Sequence, residues 1–141
     1  MLRVLVPVNG SVHALDAVRH AAFMFRDRCV SEVVLLNVQP PLEFGRASAF
    51  HSLAALRKLE EASGEAALRD ARSILDDAGA SYVAQIKVGD VAQTIAQAAA
   101  ANDCDAIVMG TAGRTAVGAL LAGRLTNKLI RMSRVPVTLV K

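Results

Sequence analysis

The stretch VMGTAGRTAVGALLAGRL, residues 108–125, holds the residues best spaced for chemistry. An apolar run ends at Met109. Glycines follow at Gly110, Gly113, Gly118 and Gly123, the last directly before Arg124. Glycines let backbone N–H groups approach an anion, and a helix that starts after such a loop adds a favourable dipole. The same glycines suit a tight turn and helix packing on small residues. The spacing is not the phosphate loop G-x-x-x-x-G-K-[ST]. Nor is it the dinucleotide fingerprint G-x-G-x-x-G, which belongs after a first strand. On the residues alone, an anion cradle and a plain corner both stand. Asn9-Gly10-Ser11 forms a second special loop after the first apolar run. Arg114 and Arg124 are cations near the glycines, fit either for a phosphate or for solvent.

Such loops need a frame. RVLVPV (3–8) reads as a buried strand, and Ser11 can cap a helix from Val12 to Arg28 carrying Ala14, Val18, Ala21, Ala22 and Phe25 at helical spacing. EVVLLNV (32–38) is the second strand, and QPPLEFGRASAF after it reads as a loop. A long helix is expected from Ser52 to Ala78, with Leu53, Leu56, Leu59, Leu68, Ala71 and Leu75 inward and Gly79 as its stop. YVAQIKV (82–88) alternates as a third strand. Asp90, with Gln93 at the capping-box position, opens a helix to about Asn102. DAIVMG is the fourth strand, Val117 to Met132 a fourth helix, and VPVTLVK the last strand.

Alternating strands and helices demand parallel pairing through right-handed crossovers. The expected fold is one α/β domain over residues 1–141, a doubly wound five-stranded parallel sheet with helices on both faces. Pro136 inside the last strand cannot donate to a ladder, which places that strand at the sheet edge. Its apolar residues Val135, Val137 and Leu139 make that edge a natural site for pairing two copies. In an open sheet of this kind, ligands bind beyond the carboxyl ends of the strands where strand order reverses. If the first and fourth strands are neighbours, the Asn9 loop and the glycine loop line one crevice.

Composition narrows the class. Apolar residues make up 53% of the chain, and their Ala, Val and Leu surplus fits a sheet covered on both faces. No apolar run reaches the roughly 18 residues that span a bilayer. MLRVLVPVNG is too soon interrupted for a signal peptide, so a cytoplasmic protein is expected. Cys29 and Cys104 have no metal spacing and read as reduced, partly buried thiols. Net charge is +3, but aromatics are only 4% with no Trp, which leaves nucleic-acid binding without stacking residues.

Several other residues read as ordinary structure. His13 and His20 stand two turns apart, yet no carboxylate or cysteine completes a metal set, so both read as solvated helix residues. His51 reads as a helix-start residue, Asp90 as a cap, and Asp105 as lying at the wrong end of its strand for the crevice. No Ser-His-Asp or Cys-His set can be argued from spacing, and no base stands at the glycine loop.

The residues resemble a family. Gly110-x2-Gly113-x9-Gly123 matches the universal stress protein signature G-x2-G-x9-G-[ST]. The block from Ile107 to Lys141 looks like that family's C-terminal portion, and VLVPVNGS and LLNV resemble its first two strands. The resemblance implies sheet order 3-2-1-4-5, a homodimer through the last strand and, in one branch, binding of ATP or another adenine nucleotide, with magnesium as an accompanying ion. Position by position, it places adenine against the Val38 backbone and phosphates at Gly110, Gly113 and Gly123. A later hydroxyl falls at Thr126. Pro7, Met109, Arg114 and Leu125 complete the implied nucleotide site. Asn9 stands where that branch has an acid, and Arg124 where the signature has a small hydroxyl. An amide still reaches a ribose hydroxyl but lacks a carboxylate's charge for a metal.

The function implied is a nucleotide-binding stress-response switch, with the loop from Gln39 to Phe50 ordering over the ligand and at most slow ATP hydrolysis. The alternative is a nucleotide-free dimeric interaction module of the same family, acting on an unknown protein partner. An enzyme acting on a nucleotide rests on fold analogy alone.

Overall fold

Short β-branched runs become the strands and alanine-rich stripes become the helices. The computed structural model describes residues 2–41, 53–111 and 116–141, and the side chains of all these except 116–122. In chain order the elements are β1 (Leu2–Pro7), α1 (Val12–Arg26), β2 (Val30–Gln39), α2 (Leu53–Asp77), β3 (Tyr82–Val88), α3 (Val91–Ala101), β4 (Ala106–Gly110), α4 (Ala116–Met132) and β5 (Val137–Val140). The strands form one parallel sheet in the order β3-β2-β1-β4-β5.

Because strand side chains alternate between faces, the sheet carries two cores. On one face Val4, Val6, Val33, Leu35 and Val108 pack with Ala17, Val18 and Ala21 of α1 and Leu68, Ala71 and Leu75 of α2. On the other, Leu5, Val34, Leu36, Ile107 and Met109 pack with Ile95 and Ala98 of α3 and Leu129 of α4. Each fully buried aliphatic side chain contributes roughly 1.5–3 kcal/mol relative to exposure. Helices thus cover both faces of the sheet, as the composition implies.

The inner stripe of α2 differs from expectation. Leu56, Glu60, Gly64, Leu68, Ala71 and Leu75 are buried, whereas Leu53 and Leu59 are 53% and 46% exposed. The stripe follows four-residue steps through Gly64, where an added Cβ would stand 2.8 Å from the Ile86 side chain of β3. Leu59 lies one residue, about 100° of helix rotation, off that stripe.

Helix α1 ends at Arg26, two residues before the expected end. Arg28 adopts a left-handed φ of 61°. Its N–H donates to the Phe25 carbonyl, and the Cys29 N–H donates to that of Met24. This is the Schellman arrangement. Gly79 closes α2 in the same way and Asp103 closes α3, with φ of 66° and 51°.

Pro136 is not inside β5 but immediately before it. Having no N–H, it joins the sheet only through its carbonyl, which accepts from the Ile107 N–H at 2.9 Å. The edge position of β5 holds. Asp105 lies at the amino end of the sheet, where its Oδ2 accepts from the Arg3 N–H. Of the cysteines, Cys104 is buried and Cys29 exposed, which corrects the expectation of partial burial for Cys29. Burial pushes the Cys104 thiol up to about 11, leaving it a packing residue. Among the described residues no helix is long and apolar enough to cross a membrane. The expected loop beyond Pro41, His51, Gly113 and Arg114 lie outside the described residues.

Candidate functional site

Strand β1 pairs with β2 on one side and β4 on the other, so strand order reverses at β1. A cavity of about 390 Å³ opens at the carboxyl ends of these strands. Its apolar wall is Leu36 and Val38 from β2, Met109 from β4, Val91 and Ile95 from α3, and Leu125 from α4. Pro7, Val8 and Asn9 line it from the end of β1, and Ser11, His13 and Ala14 from the start of α1.

Two caps set the helices that frame the cavity. The Ser11 Oγ accepts from the Ala14 N–H at 3.3 Å, fixing the first turn of α1. The Asp90 Oδ2 accepts from the Gln93 N–H at 3.1 Å, fixing the start of α3. That backbone donor, followed by the Lys128 ammonium, holds the Asp90 carboxyl below its ordinary value. The Lys128–Asp90 pair is solvent-exposed at 3.3 Å and adds little stability.

The Asn9 Oδ1 accepts from the Ser11 N–H at 3.0 Å, a local Asx turn that leaves the side-chain NH₂ as its remaining donor. Behind it stands Asn37, which spacing did not single out. It is buried in β2; its Nδ2 donates to the Val8 carbonyl at 2.8 Å, and its Oδ1 accepts from the Gln39 Nε2 at 2.6 Å. Asn37 thereby ties the end of β1 to β2 just where the cavity begins. A lone amide inside an apolar run is itself a signal, since buried polar groups must be satisfied.

The glycines separate into two kinds. At Gly110 an added Cβ would run into the His13 backbone, 2.7 Å from its carbonyl carbon and 3.2 Å from the Ala14 nitrogen. The end of β4 and the first turn of α1 can meet only through a residue without a Cβ. At Gly123, inside α4, an added Cβ would meet nothing within 4 Å among the described residues.

The structure brings Pro7, Asn9, Val38, Met109, Gly110 and Leu125 together on one cavity wall. It does not bring Arg124 there. Arg124 is exposed and lines a separate shallow depression with Asn127, Lys128 and Arg131. Helical phase explains this, because adjacent residues point about 100° apart and Leu125 takes the cavity side. Thr126 is buried and also off the wall. His13, expected to be solvated, is half-buried on the wall, because β4 abuts its backbone. Among the described residues no group of three or more His, Cys, Asp or Glu side chains is arranged to hold a metal.

The sequence model of the universal stress protein family matches residues 1–141. Universal stress protein MJ0531 of Methanocaldococcus jannaschii is 26% identical over 99% of this chain and 81% of its own length. The solved structure of MJ0577, another universal stress protein of that archaeon, is 29% identical, with a TM-score of 0.77 over 99% of this chain and 94% of that one. A universal stress protein family member from Arabidopsis thaliana, solved with AMP bound, shares the fold at 21% identity, with a TM-score of 0.71 over 100% of this chain and 92% of that one. Signature glycines, strand order and full-length match agree: the chain belongs to the universal stress protein family.

Proposed function

We propose that this chain binds an adenine nucleotide in the cavity at the carboxyl ends of β1, β2 and β4, and serves as a cytoplasmic stress-response protein whose interactions depend on that nucleotide. The observation that carries the reading is the cavity itself. Its volume of about 390 Å³ falls within the roughly 300–1,000 Å³ usual for small-molecule sites. Leu36, Val38, Ile95 and Met109 offer an apolar slot to a flat purine, and Asn9 and Ser11 offer polar groups beside it. The Arabidopsis relative with AMP supports the same ligand class. The solvent-facing Arg124 leaves the slot open.

Gly123 gives a direct test. Interior helix glycine costs about 1 kcal/mol relative to alanine, and nothing described packs where its Cβ would be. Gly123→Ala is therefore expected to raise unfolding stability by about 1 kcal/mol in urea. It should also weaken AMP binding in a calorimetric titration, because the family resemblance places phosphate at this glycine. Greater stability with unchanged affinity would place the phosphate elsewhere.

A second reading, a nucleotide-free dimeric module, draws on the free edge of β5, where Leu139 is 44% exposed. Native mass spectrometry of the purified chain separates the two. Dimers carrying adenine nucleotide support the first reading, and bare dimers the second.

A further inference from the structure

Nucleotide binding, the reading on which this inference rests, requires something to meet the phosphate charge. Magnesium is the ion the family resemblance implies, and magnesium is held through carboxylates together with substrate phosphates and water. The described cavity wall contains no Asp and no Glu. Asn9 holds the position where the resemblance places an acid, and its Oδ1 is already engaged by the Ser11 N–H. The described residues do not fit the metal.

They fit a different arrangement. His13 is the one ionisable residue lining the described wall. Its backbone packs against Gly110, the first of the glycines at which the resemblance places phosphate. Leu36, Val38 and Ile95 form the apolar end of the same cavity, suited to the base. An imidazole N–H placed at the polar end can donate to a phosphate oxygen, more strongly when the ring is charged. We infer that the cavity takes a nucleoside monophosphate without a divalent cation, with the His13 imidazole as a side-chain donor to the phosphate.

The test compares AMP with adenosine by calorimetric titration, each in EDTA and in magnesium. Wild-type protein should bind AMP equally in both buffers, and more tightly than adenosine. His13→Ala should weaken AMP about tenfold, the scale of one charge-assisted hydrogen bond, and leave adenosine unchanged. His13→Gln, which keeps a side-chain donor, should recover part of the loss and serves as the folded control. A requirement for magnesium overturns the inference. So does AMP no tighter than adenosine, or a His13→Ala effect that is nil or equal on both ligands. Wild-type protein that binds neither AMP nor adenosine overturns the nucleotide reading itself.

Discussion

Gly110→Ala is expected to destabilise the protein by about 3 kcal/mol, the upper end for overpacking. The added methyl group would sit 2.7 Å from the His13 carbonyl carbon. Both sides of that contact are main chain, so no side-chain rotation relieves it. Either β4 retreats from β1, or the first turn of α1 lifts off the sheet. The second movement also displaces Ser11 and His13 from the cavity wall, so ligand affinity should fall together with stability. Urea denaturation of wild type and variant measures the first effect. A loss below about 0.5 kcal/mol, the range of neutral surface changes, would mean that β4 and α1 do not meet as described.

The second large effect is expected at Asn37. Its amide satisfies the Val8 carbonyl and accepts from Gln39, at 2.8 and 2.6 Å, in a buried setting. Asn37→Ala strands the Val8 carbonyl and leaves a small void. Leaving a buried polar group unmatched costs about 1–3 kcal/mol, and a loss of about 2 kcal/mol is expected in urea. Because Val8 leads directly into Asn9 on the cavity wall, backbone amides 9–11 should also exchange hydrogen faster. Unchanged stability and unchanged exchange would show that Asn37 does not hold the end of β1.

These two residues mark where the sequence was legible and where it was not. Continuous apolar runs announce the strands buried on both faces, alternation announces β3, and a 3.6-residue repeat announces the helices. Gly79 advertises its helix end; Arg28 and Asp103 adopt the same left-handed geometry without a glycine to signal it. The Gly110–His13 approach is a tertiary event between residues almost a hundred positions apart, and no local pattern encodes it. That is why His13 reads as solvated from the sequence, and why the sequence leaves Gly110 open between an anion cradle and a plain corner. Arg124, fit from the sequence either for a phosphate or for solvent, is turned to solvent by the phase of α4. Asn37 alone carried an unread local signal, an amide in the apolar run LLNV.

The glycine signature therefore mixes two demands. Gly110 is explained by packing whether or not a ligand ever arrives. At Gly123 no packing partner stands among the described residues, where an added Cβ meets no atom within 4 Å, while helix propensity argues for alanine.

The most direct measurement is calorimetric titration of extensively dialysed wild-type protein with AMP. Saturable heat is expected at one nucleotide per chain, with a dissociation constant at or below roughly 100 μM, equivalent to about −5.5 kcal/mol. No heat and no thermal stabilisation at about 1 mM AMP, where binding at that strength would add more than 1 kcal/mol of stability, would contradict it.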